Sequence, residues 1–278
     1  MLTLIRLELL KLFSRGIAYI GFAAIFLIVI IVQVGMFVEG EKLLNFLIQN
    51  LSGLFELQGN LINIYTVSYI ILNSLWIHIP ILVTIVAGDM ISGEAQRGTF
   101  RLLLTRPVSR TQLLTAKFIT AQLYTSMLVI WLLILSLGMG RFFFDTGDMI
   151  VLLSSINIID QSDVLWRFLL AFAYGMLSQW VVGALAFLFS VRASNSLTPV
   201  IGAMSVIILF SIISNFSVGV FEPIKPYLFT SYLTDWQLFF DMPLQFDRIY
   251  KASGVLLAHL VVFFALSFFH FKYKDINS

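Results

Sequence analysis

The sequence predicts an all-α polytopic membrane protein with six transmembrane helices and both termini on the inner side. Three observations carry this. Of its 278 residues, 59% are hydrophobic and 12% charged, with a mean hydropathy of +0.96; a soluble domain holds about 45–50% apolar and about 25% charged residues. Six apolar runs reach the roughly 20 residues that a helix needs to cross a bilayer. None has the ~9–11-residue length or the alternation of a barrel strand. With the N-terminus inside, the charges sort by side: eleven basic residues against four acidic ones inside, and six against eleven outside. That is the bias that orients membrane proteins. The whole chain, 1–278, reads as one transmembrane domain.

Residues 1–15 read as an interfacial amphipathic helix. Leu2, Ile5, Leu9, Leu12 and Phe13 share one face, and Glu8, Lys11 and Arg15 the other. The charged face is expected to meet water and anionic lipid. The apolar run that follows is too long for a signal-peptide core of about 7–15 residues and no small-residue cleavage site follows it, so it reads as a span. Spans are expected at about 16–38, 64–88, 112–140, 166–191, 195–217 and 252–271. The second carries Pro80, and the fourth carries Gly175 and Gly183, eight apart, which allows close packing. Between spans, 39–63 is acidic with leucines at roughly helical spacing, and 141–167 is polar. The segment 218–250 is broken by Pro223, Pro226 and Pro243. Its aromatics, Trp236 among them, are expected at the membrane interface, on pieces that re-enter the bilayer edge.

The densest charge lies in "GDMISGEAQRGTFRLLLTRPVSRTQLLTAKF", residues 88–118. Read as a helix, 89–105 aligns Ile91, Ala95, Gly98 and Leu102. Glu94, Arg97 and Arg101 cluster on another face, with Glu94 and Arg97 at a bonding i, i+3 spacing. Gly98 inside such a helix costs roughly 1 kcal/mol relative to Ala, which points to a bend or a close backbone approach. Pro107 ends the helix, and Ser109 is placed to cap the next one. The block therefore reads as helix, break, helix on the inner face. A topology marker would explain its charge but not its Glu, Gly and Pro.

Within this block, "GEAQRGTFRLLLTRPVSRTQLLTAKF" resembles the signature of ABC-2-type permeases, the transmembrane domains of type V ATP-binding-cassette exporters. Glu94, Gly98, Thr99, Leu102, Leu103, Leu104, Pro107, Val108, Ser109, Arg110 and Lys117 match that pattern, while Phe100 and Ala116 depart from it. The resemblance implies that 89–105 is a coupling helix docked in a groove of a cytoplasmic ATPase. Glu94, Arg97, Gly98, Thr99, Arg101, Leu102, Pro107 and Arg110 would then lie in or near that joint. It also implies a dimer of ABC ATPases carrying ATP and Mg, a second permease copy or homologous permease, and the inner membrane of a prokaryote. For some relatives it implies an extracytoplasmic protein partner. This chain has no G-x-x-x-x-G-K-[ST] phosphate loop, so no cofactor and no catalytic residue are expected in it.

Of the polar residues inside spans, Asn73, His78, Gln179 and His259 are candidates for a substrate path. The histidines are too few for a metal site of three or four ligands, and the chain has no Cys. No nucleic-acid motif appears; the basic residues follow the inner face. The spans hold no fixed charge, so the expected cargo is amphipathic or apolar. A membrane-embedded enzyme using His78 or His259, and a channel or scaffold without ATP, stay open as alternatives.

Overall fold

Apolar runs become helices here because the bilayer leaves every backbone N–H and C=O to find its partner within its own segment. The computed structural model describes residues 1–48, 62–98, 109–152, 156–216 and 218–273. Helix α1 (Leu2–Phe13) turns into α2 (Ile17–Ile48), and α3 (Ile64–Trp76) and α4 (Ile79–Gln96) follow. Helix α5 (Arg110–Leu133) continues through a π-turn (Ile134–Gly138) and a 3-10 turn (Met139–Phe142). A short antiparallel ribbon, β1 (Met149–Leu152) and β2 (Ile156–Ile159), sets Met149 opposite Ile159. Then come α6 (Gln161–Arg192), α7 (Leu197–Asn215), three 3-10 turns (Lys225–Tyr227, Phe229–Tyr232, Asp235–Phe240) and α8 (Phe246–Lys272).

Among the described residues, α2, α5, α6, α7 and α8 are each long and apolar enough to cross a membrane, and α3 with α4, bent by 50° at their break, are so together, which gives six if the pair is one span. The sequence suggested one continuous span there, at about 64–88. The break falls at Ile77–His78, just before Pro80 in the first turn of α4. Proline supplies no N–H to the preceding turn and its ring crowds it, which is the ordinary cause of a sharp bend. A second difference lies at the other end of this span. No separate surface helix starts at Asp89: α4 runs on through Gln96, with Asp89–Glu94 buried. Likewise α2 extends into the acidic segment as far as Ile48.

Helix α6 is the axis of the bundle. Two thirds of its most apolar stretch (67%) is buried, against 28% for α2 and 17% each for α7 and α8. A side chain at Gly175 would come within 2.6 Å of the Trp76 ring, so the missing Cβ is what brings α6 against α3. The outer helices turn Ile31, Ile201 and Val261 outward, a face suited to lipid.

The end of the bundle away from the termini is closed by the ribbon and the 3-10 turns. Arg167 of α6, 5% exposed, holds this cap. It pairs with Asp163 at 2.7 Å and donates to the carbonyls of Phe239 and Asp241 at 3.1 Å each. Asn157 of β2 donates to the Phe240 carbonyl at 3.3 Å. Trp236, expected at the interface, is instead fully buried, with its ring 5.3 Å from Trp76 and 5.6 Å from Tyr69. The 3-10 turns fold down onto α3 and carry it into the core.

Candidate functional site: the charged end of the bundle

Helix α1 lies against the starts and ends of the spans, and its charged side faces the protein. Glu8 is 9% exposed and Leu12 5%, with Phe13 packed on the core, while Leu2, Leu7 and Leu10 point outward. The amphipathic pattern had assigned the charged side to water. What turns Glu8 inward is Lys117, one turn into the apolar part of α5 and 1% exposed. An ammonium group there costs several kcal/mol unless carboxylates surround it. Its Nζ lies 2.6 Å from Glu94 Oε1 and 2.7 Å from Glu8 Oε2. Lys11 of α1 completes the group with its own ion pair to Glu94. Two acids and two bases thus alternate, with no net charge, and fasten α1, α4 and α5 together.

A second cluster centres on Asp89. Its Oδ2 accepts from Arg15 at 2.9 Å and from Arg97 at 3.4 Å. Its Oδ1 accepts from the Ser196 hydroxyl at 2.6 Å, which ties in the turn before α7. Ser196 also donates its N–H to Gln96 Oε1 at 3.0 Å, and its hydroxyl oxygen lies 2.9 Å from the same atom. The Asp89 carboxylate lies over Gly93, one turn on, in the space a Cβ would occupy. Gly93 is therefore required by the carboxylate. Ser190 of α6 then reaches into the backbone of α4. Its hydroxyl donates to the Gly88 carbonyl and accepts from the N–H groups of Ile91 and Ser92 at 3.1 and 3.0 Å. On the other side of α6, Arg192 meets the His270 ring of α8.

The boundaries of the central segment are both marked by local chemistry. Gly98 has φ +67°, the left-handed conformation that ends helices and costs a side chain about 1–2 kcal/mol. It stands just past Arg97, the C-cap of α4, and so terminates that helix; the sequence had it inside one. Ser109 starts α5 with a capping box: its hydroxyl accepts from the Gln112 N–H at 3.2 Å, and the Gln112 side chain accepts from the Ser109 N–H at 3.4 Å.

The residues singled out from sequence therefore separate. Glu94 is buried, 1% exposed, and turned inward to Lys117 and Lys11, not outward on a surface helix. Arg97 leaves Glu94 for Asp89 and is the more exposed partner of that pair. Arg110 is the exposed first residue of α5. Thr99, Arg101, Leu102 and Pro107, with the rest of the expected coupling helix to 105, lie outside the described residues. Sequence reasoning passed over Glu8, Lys11, Arg15, Asp89, Ser190 and Ser196 as site members, and noted Lys117 only as a motif residue. The available signal was a set of opposite charges at neighbouring ends of apolar runs, where ionisable groups need partners.

The four path candidates do not form one path. Asn73 is at the far end, where its side chain donates to the Tyr69 carbonyl and accepts from Gln237 at 2.6 Å. His78 is exposed at the α3–α4 break and its ring Nδ1 sits 2.9 Å from the Ser74 carbonyl. His259 makes the same contact with the Val255 carbonyl at 2.9 Å and packs on Phe229 and Phe263. Gln179 is fully buried in α6, and its amide has no hydrogen-bond partner among the described residues. No group of three or more His, Cys, Asp or Glu stands in a metal-binding array among the described residues.

Two comparisons bear on this arrangement. The family model described as "ABC-2 family transporter protein" matches residues 15–276, which takes in all six crossings. A protein of Bacillus subtilis (strain 168) described as "Uncharacterized protein YhcI" is 26% identical over 202 residues, 69% of this chain. That match spans 63% of the relative's own length.

Proposed function

We propose, from the premise that this chain belongs to the ABC-2 transporter family, that it is the permease subunit of an ATP-driven exporter in a prokaryotic inner membrane. A separate pair of ATPase subunits binds ATP and Mg, and a second permease, identical or homologous, completes the pathway. The cargo is amphipathic or apolar, or the moving bundle acts on an extracytoplasmic protein. Residues 97–110 form the joint with the ATPase.

The observation that carries this reading is the buried ion group Glu8–Lys117–Glu94–Lys11. It grips α4 and α5, the two helices that flank residues 99–108, and adds α1 to the same unit. A push on that segment would reach three elements together, because broken ion pairs in a dry site are expensive and the joint resists deformation. Exposed Arg97 and the neighbouring Arg101 then supply charge that selects a partner surface.

The test is purification of the full chain from its own membranes. A co-purifying subunit with a phosphate loop is expected, and its absence overturns the permease reading. Arg97→Glu with Arg101→Glu is expected to release that subunit while the permease still inserts. Retention of a coupled ATPase by this variant would remove the joint from 97–110.

A further inference from the structure

At the end of the bundle far from the ion group, a cavity of about 780 Å³ opens between the α3–α4 break, α7 and the 3-10 turns. Sites for a single drug-sized molecule occupy about 300–1,000 Å³. One wall is apolar: Trp76, Pro80, Ile208 and Ile212. Ile208 and Ile212 are also more than half exposed on the outer face of α7, so the lip of the cavity belongs to a lipid-facing surface. The other wall is polar and hydroxyl-rich. Ser214 lies 2.8 Å from the Thr230 hydroxyl and 2.9 Å from that of Ser231, and Gln237 reaches Asn73 at 2.6 Å.

The charged groups in the lining are already committed. Lys225 pairs with Glu222 at 2.6 Å, and Arg248 with Asp235 at 3.3 Å. A head with net charge would have to compete with these pairs among the described lining residues, and would lose its own hydration. Behind this wall the Trp236 indole N–H and Asp235 Oδ2 are buried with no partner among the described residues. An uncharged head that both accepts and donates, with hydroxyl or amide groups, is the complement of the wall formed by Ser214, Thr230, Ser231, Gln237 and Asn73.

We propose that this cavity binds a single-chain amphiphile whose head is uncharged and carries hydroxyl or amide groups, with its chain laid along Pro80, Ile208 and Ile212. Calling that molecule cargo rests on the permease reading; its binding does not.

The full chain in lipid nanodiscs, without ATPase or nucleotide, is photolabelled with an alkyl maltoside bearing a diazirine at its chain end. Adducts are expected on the Ile208–Ile212 face of α7 and around the α3–α4 break. Dodecyl maltoside and a monoacylglycerol should compete, and the tighter of the two tells a foreign amphiphile from a membrane lipid as the source. Dodecyl sulfate and dodecyltrimethylammonium should compete about tenfold more weakly, the difference that one or two hydrogen bonds supply. Ser211→Phe, which fills the cavity, should abolish labelling; should that variant fail to insert, Ser214→Ala reports instead with a loss of head-group discrimination. Adducts spread evenly over the outer faces of α2 and α8, or equal competition by the charged amphiphiles, would overturn the site. Neither result touches the ATPase test, so the two readings fail separately.

Discussion

At the scale of single residues, Lys117 decides how the charged end is built. It is 1% exposed with Glu94 equally buried, and each needs the other. Lys117→Met leaves two carboxylates without their shared cation and is expected to destabilise the protein by about 3–5 kcal/mol. Adding Glu8→Gln and Glu94→Gln should recover most of that loss. Lys11 would then stand alone, but a third of its side chain is exposed, so it can turn to water. Unfolding in mixed micelles measures both variants, and a triple variant no more stable than Lys117→Met would show that the group is not a closed electrostatic unit. This residue-scale arrangement was only half legible in the sequence. Lys117 stood in the motif and Glu8 in the helical pattern, but their contact joins positions 109 apart. An amphipathic repeat says which residues share a face; it does not say whether that face meets water or a buried lysine.

At the scale of elements, hydropathy located the crossings because the bilayer imposes one length on all of them. The start of α5 was equally legible, since the Ser109 cap is a local feature with a local spacing. The bend at Ile77–His78 was not, although Pro80 marked it, because a proline in a span is compatible with a straight or a broken helix until neighbours choose. Here Gly175 leaves room for Trp76 beside the break, and the 3-10 turns settle over it. Those turns were expected to touch lipid. Their docking on α8 includes Asp235, 4% exposed, beside Arg248. Burial raises the Asp235 carboxyl above its ordinary 3.8, and Arg248 offsets this only in part. The folded protein therefore holds the proton more tightly than the unfolded chain. This contribution is fully present below pH 3.8 and is lost as pH rises through the higher folded value. Asp235→Asn, which keeps the neutral form at every pH, should be more stable than the parent at neutral pH, with the difference closing toward pH 3.8. Thermal unfolding of the two proteins across that range checks it, and a gap that widens on acidification would contradict the burial argument.

At the scale of the whole molecule, the two ends differ in kind, and the difference predicts an orientation. The end with α1, the Asp89 cluster and Arg192 is rich in basic residues, whereas the segments flanking the ribbon and the 3-10 turns carry Asp145, Asp148, Asp160 and Glu222. The positive-inside bias then predicts the ion-group end on the cytoplasmic side and the cavity at the opposite leaflet. The exporter reading proposed above needs this polarity, with ATP hydrolysis at one end and release at the other. The sequence contains no Cys, so single thiols can be placed without a background. Ser194→Cys lies in the exposed turn before α7, and Gly219→Cys lies exposed just beyond its far end, with no atom crowding it. In intact cells a membrane-impermeant maleimide should label Gly219→Cys and leave Ser194→Cys untouched until the membrane is opened. The opposite pattern would invert the molecule. It would put the Arg97–Arg110 segment beyond reach of any cytoplasmic ATPase, and the proposed coupling would then have no source of energy.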